Sequence, residues 1–459
     1  MKAEFLDQLR AITGTHGVLT GDDVTRRATG YLLKNQMLAQ YLVRPRNTDE
    51  VAAVMKLAHA ARQPVVTHGG LTGLVHGADT LCGDLILSLE RMNEIEDIDP
   101  VQRIAVVQAG VVLQVLQEAA ETHDLMFPLD LGARASATIG GAVSTNAGGN
   151  RVIRYGMARA MVLGLEAVLA DGTVVSSLNR MIKNNAAYDL KQLFIGTEGT
   201  LGVVTRVVLR LFERPRSQDV ALVAIDDFSQ LTGFLKHMDR ALGGGLSAFE
   251  VMWRDFYVCV TTPPAKAAPP LAQTHSYYVL VESQGADAEH DATRFAAALE
   301  AAMAAGMIVD AVVAQSRRER DALWGLRDDV TQMSQYGPPF LFDVSLPIAS
   351  MQTYVTGVRA ALATHWPDHH CWVFGHLGDG NLHLVIRAGD VEGSARSAVE
   401  RIVYTPLAMI GGSVSAEHGI GLEKKPYLAL SRNPAEIELM QSLKRTLDPH
   451  NILNPGKVI

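Results

Sequence analysis

Residues 374-FGHLGDGNLHL-384 place two histidines, His376 and His383, on either side of a run of turn formers. Gly378, Asp379, Gly380 and Asn381 follow one another. Glycine supplies positive φ without a Cβ penalty, and Asp and Asn bond their own backbone. Apolar residues flank the run, so the pattern predicts a strand over 371–375, a tight turn, and a strand over 382–386. The turn folds the chain back and lets both imidazoles face one point. A lone histidine is more often a satisfied core residue. Two around this turn, followed by Glu417 and His418 in 415-SAEHGIG-421, mark a candidate site.

The rest of the chain sets bounds on that site. At 459 residues it is long enough for two or three domains, and 48% hydrophobic with 20% charged is ordinary globular composition. A net charge of −8 argues against a nucleic-acid partner. Cys82, Cys259 and Cys371 are odd in number and far apart, forming neither a disulfide framework nor a CxxC metal site. That fits a reducing compartment. The start, MKAEFLDQLR, is an amphipathic helix without the apolar core of a signal peptide. No run reaches the ~18 uncharged apolar residues that span a bilayer. The expectation is a cytoplasmic protein with no membrane span, with peripheral attachment to a membrane left open.

After the helical lead of residues 1–40, a β-α-β unit runs through 41-YLVRPRNT-48, a helix over 51–61 capped near Thr48, and a strand at 64–66. The loop 67-THGGLTGLVHGAD-79 offers backbone N–H groups suited to a diphosphate, yet it is neither a P-loop nor a GxGxxG fingerprint. A second glycine-rich tract, 128–156, follows strands at 84–89 and 104–110 and a helix over 111–123. Two such tracts, both after strands, point to one large ligand threaded between them. A third cluster, 193-LFIGTEGTLG-202, lies between strands at 162–172 and 202–212. Past Pro215 the pattern changes. Strands at 220–226, 277–283 and 340–347 alternate with helices near 227–242, 286–305 and 317–335, as in an antiparallel sheet with helices on one side. Helices near 348–365, 392–410 and 434–446 complete the chain. The expected division is 1–40, 41–214, 215–410 and 411–459.

The glycine tracts, IGTEGTLG, HLGDGNLH, SAEHGIG and the LNPGK ending together resemble the FAD-dependent D-2-hydroxyacid dehydrogenases of the vanillyl-alcohol-oxidase-like superfamily, from about residue 40 onward. The resemblance implies an α+β protein: a two-lobed FAD domain, an α+β cap with an antiparallel sheet, and a C-terminal segment returning to the FAD domain. It places the pyrophosphate near His68, Gly69, Gly70, Leu71, Thr72, Gly73, Gly77 and Ala78. The second tract would line the flavin through Pro128, Gly140, Gly141, Ser144, Thr145, Asn146, Gly148 and Gly149. Gly196, Glu198, Gly199, Gly202 and Val203 would follow the dinucleotide. Relatives that bind FAD covalently have a histidine where this chain has Leu71, so FAD is expected to be non-covalent.

The resemblance also implies a reaction. His376, His383 and Glu417 match the family's metal ligands, an N₂O set suited to zinc or manganese. His418 matches the general base, and 323-LWGLRDDVT-331 matches the helix that carries Arg327, the anchor for the substrate carboxylate, with Thr331 one turn along. Asn381 is either a turn residue or a substrate contact. Partners would be a small 2-hydroxy acid and an electron acceptor: an electron-transfer flavoprotein, a quinone or a cytochrome. A homodimer is the base-rate expectation. Two departures bear on the substrate. Relatives acting on 2-hydroxyglutarate have lysine where this chain has Leu341, and tend to have asparagine where it has Val385. Two apolar residues would leave a second carboxylate unpaired. D-lactate or a larger apolar D-2-hydroxy acid is therefore expected, with D-2-hydroxyglutarate or glycolate as the alternatives. A non-catalytic flavoprotein subunit is disfavoured, because all the matching site residues are present.

Overall fold

A computed structural model describes residues 3–30, 36–389 and 395–459. The chain is α+β and forms two compact units. The first comprises residues 1–149, 156–214 and 417–459, and the second 150–155 and 215–416.

In the first unit a four-stranded sheet runs in the order Val18–Thr20, Tyr41–Val43, Leu85–Ser88, Val65–His68. The last three strands are parallel. The helix Thr48–Ala61 makes their crossover, burying Val51, Val54, Met55 and Ala58 as one stripe. Its cap is Asn47, whose side chain accepts from Glu50 N–H. Thr48, expected at the cap, is already helical, and its hydroxyl donates to Glu166. A second, five-stranded antiparallel sheet centres on Val203–Arg210 between Ile104–Gln108 and Val162–Val168. The chain returns through a parallel bridge between Val65 and Leu453. The helical lead is no separate domain, since Val18–Thr20 pairs with Tyr41–Val43.

The second unit is built on a seven-stranded antiparallel sheet. Its order is Asp310–Val313, Ser217–Ile225, Tyr277–Gly285, Leu246–Trp253, His370–His376, Asn381–Arg387, Phe340–Ser345. Helices cover both faces rather than the one expected. Phe256, from the helix Arg254–Thr261, stacks on Phe374, while Phe234, from Phe228–Leu242, packs on Phe249, which points to the opposite face. A strand buried on both faces has no need to alternate, and every residue of Leu246–Trp253 is buried. That is why the sequence pattern passes over this strand. Residues 411–416, expected with the C-terminal segment, belong here because Ser413 bridges Ser345 through paired backbone hydrogen bonds. The helix expected near 392–410 is described from Ala395, and its first residues lie outside the described range. Among the described residues no helix is long and apolar enough to cross a membrane.

Candidate active site

The first unit contains a cavity of about 310 Å³, within the size range of ligand pockets. Its walls include Gly69, Gly70, Leu71, Thr72, Gly73, Gly77 and Ala78 from the first loop, and Gly140, Gly141, Ser144, Thr145 and Gly148 from the second tract. Glu198, Gly199, Gly202 and Val203 come from the third cluster, and Glu417, His418 and Asn454 from the C-terminal segment. Close backbone approach explains some of the glycines in these tracts, while Gly73 has open space where a Cβ would stand. A Cβ on Gly70 would lie 1.9 Å from Ser136 O, and one on Gly149, at φ 123°, would lie 2.2 Å from Asp130 O.

Five residues expected at the cofactor lie outside this lining, and four of them have identifiable supporting roles. His68 Nε2 is 2.9 Å from Ala78 O and ties the first loop to its strand. Burial pushes its imidazole down to about 4, so it is neutral, and Nε2 carries the donated proton. Asn146 Oδ1 accepts from Arg159 N–H, and Gly196 N–H donates to Val143 O. Gly149 N–H donates to Glu417 Oε1 at 3.1 Å, which aligns that carboxylate. Pro128 is simply buried. Glu198, at a left-handed φ of 53°, accepts from Ile420 N–H at 2.6 Å and Gly421 N–H at 2.9 Å. It thereby clamps the segment that carries His418. Asn454 links Thr67 N–H to Glu198 O, so three walls share one network.

In the second unit the His turn forms as the hairpin His370–His376 and Asn381–Arg387. Register places His383 opposite both Phe374 and Asp343, and His376 opposite Glu250. Side chains repeat every two residues along a strand, so all five share one sheet face. The two imidazole centroids are 5.3 Å apart, edge to face. His376 Nδ1 lies 2.6 Å from Glu250 Oε1. Arg327, buried at the end of the helix Arg317–Asp328, donates through Nε to Glu250 Oε2 at 2.9 Å and through Nη2 to His376 Nε2 at 3.1 Å. Burial alone would push the Glu250 carboxyl up. The adjoining His376 and Arg327 outweigh it and hold the carboxyl below its ordinary range. Asn381 is buried, and among the described residues neither its side-chain oxygen nor its nitrogen has a hydrogen-bond partner. That suits a ligand contact better than a turn residue.

Thr331 departs from expectation. The helix stops at Asp328, since the carboxylates of Asp328 and Asp329 oppose the negative end of its dipole. Thr331 lies on the following 3₁₀ turn, exposed, with its hydroxyl bonded to Asp329. Glu250 went unnoticed in the sequence. The available signal was one acid inside the apolar run 246-LSAFEVMW-253, since a charge in a buried strand demands partners.

Residues 39–177 match the model of the FAD binding domain, and residues 214–458 match that of the FAD linked oxidases, C-terminal domain. A mitochondrial D-2-hydroxyglutarate dehydrogenase of Bos taurus is 40% identical over 422 residues, covering 92% of this chain and 77% of the relative. The D-2-hydroxyglutarate dehydrogenase of Xanthomonas citri pv. viticola is 39% identical over 443 residues, covering 95% and 91%. The chain belongs to the FAD-linked D-2-hydroxyacid dehydrogenase family. It is an FAD-dependent oxidoreductase of that family. The fold is that of the vanillyl-alcohol-oxidase type. A p-cresol methylhydroxylase structure superposes with a TM-score of 0.79 at 16% identity, covering 99% of this chain and 96% of that one. The glycine-walled cavity of the first unit fits this assignment, for walls without side chains would let backbone N–H groups meet a large cofactor.

Proposed function

We propose that this family member oxidises a D-2-hydroxy acid to the 2-oxo acid with the help of a divalent cation. The cation would be held by His376, His383 and Glu417, in a set of two imidazoles and one carboxylate that suits zinc or manganese. The observation that carries this reading is His376 itself. Its Nδ1 is committed to a buried carboxylate, the usual arrangement of a metal-binding histidine, so its Nε2 is the ligating nitrogen, and a cation there would take the place of the Arg327 Nη2 contact at 3.1 Å. Glu417 follows Ala416, whose N–H donates to Asp343 Oδ2 at 3.1 Å. A cation held there would supply Lewis acidity to the substrate hydroxyl, and FAD in the first unit would supply the hydride acceptor. Arg327 would hold the substrate carboxylate, Asn381 would offer its amide to the substrate, and His418 would take the hydroxyl proton. Leu71 has no atom that could link to the flavin, so FAD is held non-covalently. The acceptor of the electrons would be an electron-transfer flavoprotein, a quinone or a cytochrome.

The names of the relatives favour D-2-hydroxyglutarate over the monocarboxylates expected from the sequence, and we take it as the leading substrate. A second reading keeps its support from one observation. Leu341 and Val385 pair directly across two strands, two residues along from the pair formed by Asp343 and His383, and neither has a donor for a distal carboxylate. Arg154, a candidate replacement cation, is engaged by Gly245 O and Gln284 O. The test is anaerobic mixing of the purified protein with D-2-hydroxyglutarate, D-lactate and a longer aliphatic D-2-hydroxy acid, one at a time, while following the flavin's blue absorbance. Fastest bleaching by D-2-hydroxyglutarate supports the leading reading. Fastest bleaching by a monocarboxylate replaces it with the second. No bleaching by any acid, in protein shown to hold FAD and metal, rejects both.

A further inference from the structure

Glu250 is the only acid in the strand Leu246–Trp253 and is fully buried. A buried carboxylate is tolerated only when its oxygens are well paired. Here one oxygen serves His376 Nδ1 at 2.6 Å and the other Arg327 Nε at 2.9 Å. These contacts fix a proton. The carboxylate only accepts, so Nδ1 of His376 must carry hydrogen. Arg327 Nη2, 3.1 Å from Nε2, only donates, so Nε2 must present its lone pair. Both neighbours of the ring thus demand the same tautomer.

We propose that Glu250 is the positioning residue of this site. It holds His376 in the Nδ1–H form, so that the Nε2 lone pair, which accepts from Arg327 Nη2 in this structure, is the one a bound cation would take, and it holds the Arg327 guanidinium through its second oxygen. One side chain from the sheet floor thus sets a metal ligand and the carboxylate anchor at a fixed separation. The role of Nε2 as ligand rests on the cation reading above, whereas the tautomer does not. A neighbouring residue supplies the control. Glu282, on the adjacent strand, is equally buried, but its hydrogen bonds go to Arg151, Gln218, Ser247 and Trp324 Nε1. Trp324 lies one helical turn before Arg327, so Glu282 anchors the same helix away from His376.

The experiment uses FAD-loaded protein carrying E250Q, E250D or E282Q. The ¹⁵N imidazole signals of His376, assigned by their loss in H376N, report the tautomer. Affinity for zinc alone, measured by chelator competition, reports the ligand. In wild type and E282Q the expected form is Nδ1–H. In E250Q the amide can turn its N–H toward Nδ1, which leaves Arg327 as the one neighbour that still demands the Nδ1–H form, so the spectrum moves to a mixture of tautomers and zinc affinity falls by roughly 10–100-fold. E250D keeps the acid on a shorter arm and is expected to keep the Nδ1–H form with a smaller loss of zinc affinity; an E250D protein that lost the Nδ1–H form yet bound zinc as tightly as wild type would overturn the proposal even if E250Q does not fold. An E250Q protein with the wild-type tautomer and zinc affinity overturns the proposal. So does an equal loss of affinity in E282Q, which would mark a general effect of helix anchoring. A wild-type protein that takes up no zinc removes the cation reading and the ligand half of the proposal, while the tautomer signal still decides whether Glu250 orients the ring.

Discussion

His68 shows how one side chain makes the glycine loop over residues 69–78 sensitive to pH. It ends the strand Val65–His68, almost wholly buried, and holds Ala78 O across the glycine loop. Burial lowers its folded pKa from 6.5 to about 4. Between those values the unfolded chain binds the extra proton, so stability is lost as pH falls from 6.5 towards 4 and levels off below. A shift of this size corresponds to about 3 kcal/mol. H68N keeps a donor for Ala78 without the titration. The difference in urea-unfolding free energy between wild type and H68N should therefore fall by about that amount between pH 7 and pH 4. A constant difference would show that His68 protonates freely in the folded protein. At this scale the sequence was partly legible. His376 and His383 stood out because a turn of Gly, Asp and Asn is hard to misread. Glu250 did not, because what identifies it is a cross-strand partner 126 positions away.

At the scale of elements, the helix Arg317–Asp328 shows what holds site residues still. Ser316 caps it, accepting from Glu319 N–H. Trp324 and Arg327 share a face and dock on Glu282 and Glu250 from neighbouring strands. Burial pushes the Glu282 carboxyl up, but Arg151 together with the Gln218 and Ser247 donors holds it below its ordinary range, so it is charged and depends on its cation. R151M should destabilise the protein by roughly 3–5 kcal/mol, because it leaves a buried charge without its counter-ion. Replacing both partners, as R151M/E282M, should recover much of that loss in denaturant unfolding. A double variant as unstable as the sum of the two singles would mean that Glu282 is not paired with Arg151 in solution. The same unit shows where periodicity fails. Edge and half-covered strands announce themselves by alternation, but Leu246–Trp253 is buried on both faces and its pattern looks the same as a core helix segment. Once that strand was missed, helices on both faces could not be expected.

For the whole molecule, the division into units was only partly legible. One passage between units follows Arg214, beside a proline and a change of pattern. The passage at residues 150–155 is hidden inside a glycine-rich tract, and its side-chain bonds assign it to the second unit: Arg151 to Glu282, Arg154 to Gly245 O and Gln284 O, and Tyr155 to Gln284. Substrate choice depends on this level as well, because a 40% identical relative shares the architecture but not necessarily each side chain near the acid. Leu341 and Val385 differ in what they allow. Val385 is buried among Trp372, Phe374 and Leu326, where a polar replacement would cost ~1–3 kcal/mol. Leu341 is 37% exposed and can accept a lysine without burying its charge. If Leu341 faces the substrate tail, L341K should raise kcat/KM for D-2-hydroxyglutarate relative to an aliphatic D-2-hydroxy acid by about tenfold, the effect of ~1.4 kcal/mol from one new ion pair. That expectation holds whichever acid the wild type prefers. An unchanged ratio, with stability and flavin content intact, would place Leu341 away from the substrate and remove the physical basis for the monocarboxylate reading.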